Sequence, residues 1–464
     1  MFESPENILV ILMFGSFILL LFTGFPVAWV LAGVGIAFAG IAYLTDQYWE
    51  TATGLDYNSL GLVVGRIFSI MDNWVLVALP MFIFMGLMLD KSGVAERMMM
   101  STQKLFGKVR GGLAITVTLI GIILAASTGI IGASVVLLGV MSLPIMLKQK
   151  YNKSLALGTI ASAGCLGILI PPSIMLVIMG DQLGISVGDL FMAAVFPGMI
   201  LGTLYLIYIL VYGLMNPGDT PLAKNAGELQ LKDVAQVMLD IIPPALLILA
   251  VLGSIFAGIA TVTEASGIGA LGATLLAISF RRLNFAVLKE VVINTMNTSA
   301  YIFAIFVGAT IFALVLRELG GDELIESTLT GLNMGPYQLI LFVLAVIFLL
   351  GFFLDWIEIS LIILPLLGPV IGALDLNING YGVVDNPELV WFALLVAVTL
   401  QTSFLTPPVG FALFYLKGVC PKGIQLMDIY KGVIPFIILQ LVGLTILFLF
   451  PSIATWLPAI AYGK

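Results

Sequence analysis

The segment GILIPPSIML, residues 167–176, places two consecutive prolines inside an almost uncharged part of the chain. Each proline removes a backbone N–H donor and clashes with the preceding helical turn, so the pair interrupts any helix that contains it. A similar segment, SFLTPPVGFA at 403–412, has its proline pair 236 residues after the first pair. Because the chain has 464 residues, each half carries one interruption at a matching place.

The composition indicates the environment of these segments. Hydrophobic residues make up 61% of the chain and charged residues 10%, whereas soluble domains are about 25% charged. Many apolar runs reach about 20 residues, the length of a helix that crosses a bilayer. Since backbone polar groups cannot face lipid unpaired, we expect an all-α polytopic protein of the bacterial inner membrane. The net charge of −7 comes from few groups and indicates no nucleic-acid partner.

The chain start, the cysteines and the histidine count limit other functions. The first apolar run follows Glu3 and Glu6 where a signal peptide would carry positive charge, so we expect a retained span. Cys165 and Cys420 define no disulfide or metal motif and are interpreted as small apolar side chains. With no histidine in the chain, histidine-based zinc sites and proton relays are excluded, and we expect no cofactor.

Lysines and arginines predict a re-entrant hairpin in the first half. Both 91–110 and 148–153 are rich in these residues, so both loops are predicted to be cytoplasmic. The uncharged residues 111–147 between them would form a helix of about 55 Å, well beyond the roughly 30 Å hydrocarbon core. One crossing would also place the two loops on opposite sides. We therefore predict a hairpin at about 112–146 that turns within AASTGIIGAS, 125–134.

The second half repeats this pattern with acidic flanks. The apolar stretch at about 336–374 has aspartates and glutamates on both sides, and the only basic residue nearby is Arg317. This predicts a second hairpin that begins and ends outside the cell membrane, with GFFLDWIEIS, 351–360, at its tip. The two hairpins are therefore predicted to point towards each other.

These landmarks predict two repeats, 1–215 and 234–464, joined by a cytoplasmic linker at 216–233. Each repeat is interpreted as three spans, a hairpin, a span interrupted by Pro-Pro, and a final span. The interrupted spans are predicted at about 154–180 and about 388–418. Because the first repeat contains an odd number of complete crossings, we expect the second repeat to be inverted.

Inverted repeats with interrupted helices are typical of secondary transporters, in which unwound backbone lines a solute and ion site. The interruptions can free the carbonyls of 164–168 and 401–405 for a cation, or they can be packing kinks without a ligand. Neighbouring hydroxyl groups can complete an oxygen shell around a cation. They belong to Ser173 in the first half and to Thr402, Ser403 and Thr406 in the second.

Two acids, Asp355 and Glu358, lie three residues apart at the predicted tip of the second hairpin. An intramembrane carboxylate costs about 2.5–3.5 kcal/mol, so it usually faces water or an ion. A wetted tip without a ligand is the alternative. No lysine or arginine lies in either hairpin or beside either proline pair, so an anionic solute would need backbone N–H groups and co-bound cations. This favours Na⁺ as the coupling ion, with protons as the alternative.

Two long segments carry a family resemblance: STGIIGASVVLLGVMSLPIMLKQKYNKSLALGTIASAGCLGILIPPSIMLVIMG, 127–180, and TSFLTPPVGFALFYLKGV, 402–419. They resemble the signature segments of the large membrane subunit of tripartite ATP-independent periplasmic (TRAP) transporters. The resemblance implies an elevator-type, Na⁺-driven importer, usually of organic acids such as dicarboxylates. It also implies two partners, a small four-helix membrane subunit and a soluble periplasmic solute-binding protein.

The resemblance also implies which residues bind Na⁺ and the adjacent solute. The first hairpin tip and the first interrupted helix would contribute Ser127, Thr128, Gly129, Gly164 and Ser173. The second hairpin and the second interrupted helix would contribute Asp355, Thr402, Ser403 and Thr406. Glu358 departs from the commoner pattern as an additional acid and leaves the class of solute open.

Three other functions are alternatives. A stand-alone ion-coupled anion symporter would have a similar architecture and would need no binding protein. A membrane-embedded hydrolase or transferase would need a nucleophile and a base across helices, which the neighbouring acids do not supply. A channel would not need two opposed hairpins. The chain has no ATP-binding Walker motif, so we expect an ion gradient to supply the energy.

Overall fold

The computed structural model describes residues 5–49, 51–56, 58–128, 131–222 and 230–462. In this part of the chain, every regular element is a helix and no strand occurs. Nine helices among the described residues are long and apolar enough to cross a bilayer. The prediction of an all-α polytopic membrane protein is therefore confirmed.

The helices are, in chain order, α1 (Pro5–Leu21), α2 (Val27–Tyr48), α3 (Gly61–Met71), α4 (Ala78–Lys91), α5 (Val94–Phe106), α6 (Gly112–Thr128), α7 (Ile131–Lys148), α8 (Lys153–Cys165), α9 (Ile174–Leu183), α10 (Val187–Met215), α11 (Leu231–Phe256), α12 (Val262–Ser279), α13 (Phe285–Glu318), α14 (Gly321–Gly331), α15 (Pro336–Leu350), α16 (Trp356–Glu358), α17 (Leu364–Gly372), α18 (Pro387–Leu405), α19 (Phe411–Val419), α20 (Leu426–Leu449) and α21 (Ser452–Tyr462). Two 3₁₀ turns, Trp74–Val77 and Leu166–Ile168, and a π-helical segment, Ile359–Ile363, complete the regular structure.

The chain forms two compact units. The first unit contains the residues up to Leu76 together with Asn297–Asn377, and the second contains Val77–Met296 together with the residues from Ile378 onwards. The two predicted repeats are each divided between these units, because a repeat is a property of the sequence and a unit is a property of packing. The inverted orientation of the repeats stays a prediction.

The second unit is built around two interrupted helices. The first interrupted helix consists of α8, the 3₁₀ turn and α9, and the second consists of α18 and α19. Every residue of α8 from Leu155 onwards is buried, as is every residue of α18 from Leu389 onwards. Because an unwound backbone is tolerated at membrane depth only inside protein or beside water, this burial explains how the chain can carry both interruptions.

A glycine contact sets the closest helix crossing in the second unit. A Cβ atom built on Gly158 of α8 would lie 2.0 Å from the carbonyl oxygen of Gly432 on α20. A Cβ atom built on Gly432 would lie 2.1 Å from the carbonyl oxygen of Ser154. The two backbones therefore touch, as they do where small residues line helix interfaces in membranes.

A tyrosine closes the base of each helical hairpin. In the α6–α7 hairpin, the hydroxyl oxygen of Tyr151 accepts a hydrogen bond of 3.2 Å from the backbone N–H of Leu113, one of the unpaired donors of the first turn of α6. In the α15–α17 hairpin, the hydroxyl of Tyr337 donates a hydrogen bond of 2.7 Å to the carbonyl of Leu376. Each bond joins the start of the first arm to the segment that follows the second arm.

Candidate functional site

The first interruption begins where α8 ends at Cys165 and ends where α9 begins at Ile174. Its prolines, Pro171 and Pro172, are joined by a cis peptide bond. Just before the interruption, a Cβ atom built on Gly164 would lie 2.5 Å from Cγ2 and 2.9 Å from Cα of Val135 on α7. Gly164 is therefore where the first hairpin approaches the interrupted helix most closely, because a larger residue there would separate them.

Ser173 spans the first interruption. Its hydroxyl donates a hydrogen bond of 2.5 Å to the carbonyl of Ile168 and accepts a long one of 3.4 Å from the backbone N–H of Leu176. Ser173 is completely buried and is the N-cap of α9. The side chain thus satisfies one donor of the new helix and one carbonyl of the old one.

The second interruption lies between the end of α18 at Leu405 and the start of α19 at Phe411, and Pro407–Pro408 is also a cis bond. The Thr402 hydroxyl donates to the carbonyl of Val398 at 2.8 Å, and the Thr406 hydroxyl donates to the carbonyl of Thr402 at 2.7 Å. These bonds satisfy carbonyls near the end of α18, where the helical ladder stops.

Hydroxyl oxygens are the predicted cation ligands that keep the most acceptor capacity. A hydroxyl that donates its proton to a carbonyl still has lone pairs for a cation, and this applies to Thr402 and Thr406. The Leu166 carbonyl, in contrast, already accepts hydrogen bonds from the N–H groups of Leu169 and Ile170. A cation at the first interruption would therefore use other carbonyls of the predicted 164–168 set.

The second hairpin carries the two acids at the start of its second arm. Asp355 is the N-cap residue there, and its carboxylate accepts a hydrogen bond of 2.8 Å from the backbone N–H of Trp356. Glu358 is 1% exposed, and its Oε2 atom has no hydrogen-bond partner among the described residues. A buried carboxylate oxygen without a partner is costly, so this group needs a proton, a cation or water.

A π-helical segment, Ile359–Ile363, follows Glu358 directly. Single π-helical turns inside α-helices are rare and frequently occur at functional sites, because the wider turn changes which side chains share a face. The hydroxyl of Ser360 donates to the carbonyl of Trp356 at 2.7 Å across the start of this segment. The irregular backbone and the unpaired acid therefore occur together.

The structure assigns the predicted residues to different parts of the molecule. Five of them belong to the second unit: Gly164, Ser173, Thr402, Ser403 and Thr406. Asp355 and Glu358 belong to the first unit. Gly129 and the side chains of Ser127 and Thr128 lie outside the described residues. That all these residues assemble around bound Na⁺ stays a prediction.

Sequence reasoning missed a set of buried polar side chains in the second unit. Tyr205, Gln401 and Gln440 are each completely buried, on α10, α18 and α20 respectively. An uncharged amide inside an apolar run gives no charge signal, so attention to lysines, arginines and acids does not find it. Asking which polar residues occupy equivalent places in the two repeats could have found this set.

Comparison with known proteins places the chain in a family. The family model of the tripartite ATP-independent periplasmic transporter, DctM component, matches residues 14–453. The sialic acid TRAP transporter large permease protein SiaM of Vibrio cholerae is 28% identical over 445 residues, which cover 96% of this chain and 97% of that protein. The C4-dicarboxylate TRAP transporter large permease protein DctM of Rhodobacter capsulatus is 28% identical over 463 residues, covering 97% and 98%.

A solved structure shares the fold. The crystal structure of the YdaH transporter of Alcanivorax borkumensis superposes with a TM-score of 0.52 at 12% sequence identity. The similarity covers 82% of this chain and 88% of that one. At this identity the comparison supports the architecture alone.

Proposed function

The chain belongs to the DctM-type large permease family of TRAP transporters, and on this premise we propose that it is a Na⁺-coupled importer of a small organic carboxylate. It is a multi-pass membrane permease and not an enzyme. Within the proposal, the chain lies in the bacterial inner membrane, moves the solute by an elevator-type change of access and takes it from a periplasmic binding protein.

The family supports the proposed partners and class of solute. TRAP large permeases work with a small membrane subunit and a periplasmic binding protein. The Vibrio relative is named for sialic acid and the Rhodobacter relative for C4-dicarboxylates, and both kinds of solute carry a carboxylate. The chain offers no lysine or arginine in either predicted hairpin, so a carboxylate would rely on helix N-termini and co-bound cations for its neutralisation.

The observation that carries Na⁺ coupling is the pair of acids in the second hairpin. Glu358 has an unpaired, buried carboxylate oxygen, and Asp355 uses one carboxylate oxygen to cap the turn, with its other oxygen still available. A bound cation would offset the cost of desolvating these carboxylates. We infer that Asp355 is a Na⁺ ligand and that Glu358 is a second candidate for that role.

The hydroxyl groups beside the interruptions form the other candidate cation-binding set. Thr402, Thr406 and Ser173 present oxygen atoms that are held in place by hydrogen bonds to nearby carbonyls. Neutral oxygens fixed in this way suit a hard monovalent cation, because they do not have to be ordered when it binds. We propose that these residues bind Na⁺ next to the solute.

Reconstitution into liposomes tests the function. The chain alone is expected to give no uptake of solute, because it is expected to receive solute from the binding protein. Addition of the small subunit, the binding protein, a panel of carboxylates and an inward Na⁺ gradient should start uptake. Uptake that ignores the Na⁺ gradient would contradict the coupling, and strong uptake by the chain alone would indicate a stand-alone symporter.

Charge-neutral variants test the acids in the same assay. Asp355→Asn keeps the shape and removes the charge, so the Na⁺ concentration for half-maximal uptake should rise about tenfold, which corresponds to about 1.4 kcal/mol. Glu323→Gln, an exposed acid of the same unit, is the control and should change nothing. If only Glu358→Gln shifts the Na⁺ dependence, the ligand is Glu358. If neither variant shifts it, the acids do not bind Na⁺.

A further inference from the structure

Three polar side chains of the second unit meet in its interior. The hydroxyl of Tyr205 on α10 lies beside the carboxamides of Gln401 on α18 and Gln440 on α20. All three side chains are completely buried. Yet the Tyr205 hydroxyl and both carboxamide atoms of each glutamine make no hydrogen bond of ordinary geometry with any described residue. We name these three residues the polar junction.

Groups of this kind do not stay unpaired in folded proteins. Leaving one buried donor or acceptor without a partner costs about 1–3 kcal/mol, and the whole stability of a protein is only about 5–15 kcal/mol. Buried polar groups that lack a protein partner are ordinarily paired by internal water, which makes about three hydrogen bonds. The polar junction therefore needs an occupant that forms hydrogen bonds.

The chemistry of the junction favours water over an ion. Each carboxamide offers both an acceptor oxygen and an NH₂ donor, and the tyrosine hydroxyl can donate and accept. A cation would pair only with the oxygens, and an anion only with the donors. A water molecule pairs with both, and no charged side chain belongs to the junction to balance an ion.

The junction is built from equivalent places in the two repeats. Gln401 lies six residues before Pro407, and Cys165, which is also completely buried, lies six residues before Pro171. Tyr205 and Gln440 are 235 residues apart, on the helices that follow the two interruptions. Cys165 is close enough to Tyr205 for the two groups to interact electrostatically. The junction thus lies where the two repeats meet, immediately before both interruptions.

We propose that Tyr205, Gln401 and Gln440 hold bound water and form a hydrated junction that keeps the two interrupted helices in register. Gln401 directly precedes Thr402, and Cys165 directly follows Gly164, so the junction adjoins both halves of the candidate cation-binding set. The three residues are positioning residues in this scheme. The part that concerns Na⁺ rests on the proposed function, whereas the water site does not.

Stability measurements on the purified full chain test the junction. Gln401→Leu and Gln440→Leu each leave the other groups with fewer partners, so each should lower the thermal unfolding midpoint by several degrees. The triple variant Tyr205→Phe/Gln401→Leu/Gln440→Leu removes all the polar groups and should recover most of that loss, because apolar residues of similar size can replace a polar set. Tyr208→Phe, three residues along α10 and stacked on Phe436, is the control. Losses that simply add up, or single variants without effect, would overturn the proposal.

Two further readouts separate water from a merely structural role. A high-resolution density map of the wild-type chain should show water bonded to the Tyr205 hydroxyl and to at least one carboxamide, and Gln401→Leu should remove it. A dry junction with direct bonds between the side chains would overturn the proposal. In reconstituted complexes, the triple variant should take up solute with a flatter dependence on Na⁺ concentration than wild type, and an unchanged steepness would contradict the link between the helices. If wild-type uptake ignores Na⁺, the proposed function fails while the map and the unfolding data still decide the water site.

Discussion

The two interrupted helices perform the same break with different packing. Each ends one helix, passes through a Pro-Pro pair and starts another helix, and each is buried almost completely in the second unit. The first interrupted helix, however, is surrounded at backbone distance, and the second is surrounded by large side chains. The repeats therefore share the interruption but not the way in which its surroundings are filled.

Small residues dominate the first interrupted helix. Alanine and glycine alternate with hydroxyl and aliphatic residues along α8, and Gly158 touches the backbone of Gly432 on α20. A second close contact, between Gly164 and Val135, joins the helix to the first hairpin. These contacts fix α8 by excluded volume, because a side chain added at either glycine would collide with a neighbour.

Large side chains dominate the second interrupted helix. Trp391, Phe392 and Phe404 are completely buried on α18. The indole N–H of Trp391 donates a hydrogen bond of 2.8 Å to the carbonyl of Leu447 on α20, and its ring lies 5.6 Å from that of Phe448. Position 394, which lies 236 residues after Gly158, is a buried leucine. The difference teaches that one helix depends on the absence of side chains and the other on their presence.

The largest effect is expected from Gly158→Ala. The added methyl group would collide with the backbone of Gly432, which cannot rotate away as a side chain can, so α8 and α20 must separate along their crossing. We expect a loss of at least about 3 kcal/mol, the upper end of the usual cost of overpacking. Thermal unfolding of the purified chain measures it.

Gly267→Ala is the matched control, because no atom lies within 4 Å of a Cβ atom built at that position of α12. An alanine in a helix is favoured over glycine by about 0.8–1.0 kcal/mol, so this variant should be neutral or slightly stabilising. Equal stability of Gly158→Ala and Gly267→Ala would show that the glycine contact does not hold α8.

An intermediate effect is expected from Trp391→Phe. The smaller ring removes the hydrogen bond to Leu447 and leaves space inside a closed core, which should lower the free energy of unfolding by about 1–3 kcal/mol. Thermal unfolding again measures the loss. Trp29→Phe, at an exposed position of α2, is the control and should leave the stability unchanged. Equal results for the two tryptophans would remove the role given to side-chain packing in the second interrupted helix.

The contrast also shows how far the sequence can predict this molecule. The two interruptions follow from Pro171, Pro172 and their counterparts, because the missing N–H and the ring clash act locally. The helical membrane class follows from composition, which is equally insensitive to detail. The closest relatives in behaviour, the hydroxyl residues Thr402 and Thr406, are visible because they adjoin a proline pair.

The packing partners could not be predicted in this way. Gly158 is one of 49 glycines, and nothing in its neighbourhood of the sequence indicates that Gly432 touches it. The π-helical segment after Glu358 depends on tertiary packing and has no local sequence signal. The polar junction needs three helices that are far apart in the chain. These features depend on distant residues, and a single sequence contains no record of their distances.

The smallest effect is expected from Ser173→Ala, which distinguishes the two breaks themselves. The hydroxyl of Ser173 caps α9 and donates to the carbonyl of Ile168, whereas α19 begins after Gly410, which has no side chain for capping. Loss of an N-cap hydroxyl costs about 1 kcal/mol, so the unfolding midpoint should fall slightly. If Ser173 also binds Na⁺, the Na⁺ concentration for half-maximal uptake should rise less than in Asp355→Asn, because a hydroxyl dipole attracts a cation less than a charge does. Ser279→Ala, whose hydroxyl donates to the carbonyl of Leu276 at an exposed helix end, is the control. Ser173→Thr keeps the hydroxyl and should restore both properties, and a failure of Thr to restore Na⁺ dependence while it restores stability would limit Ser173 to capping.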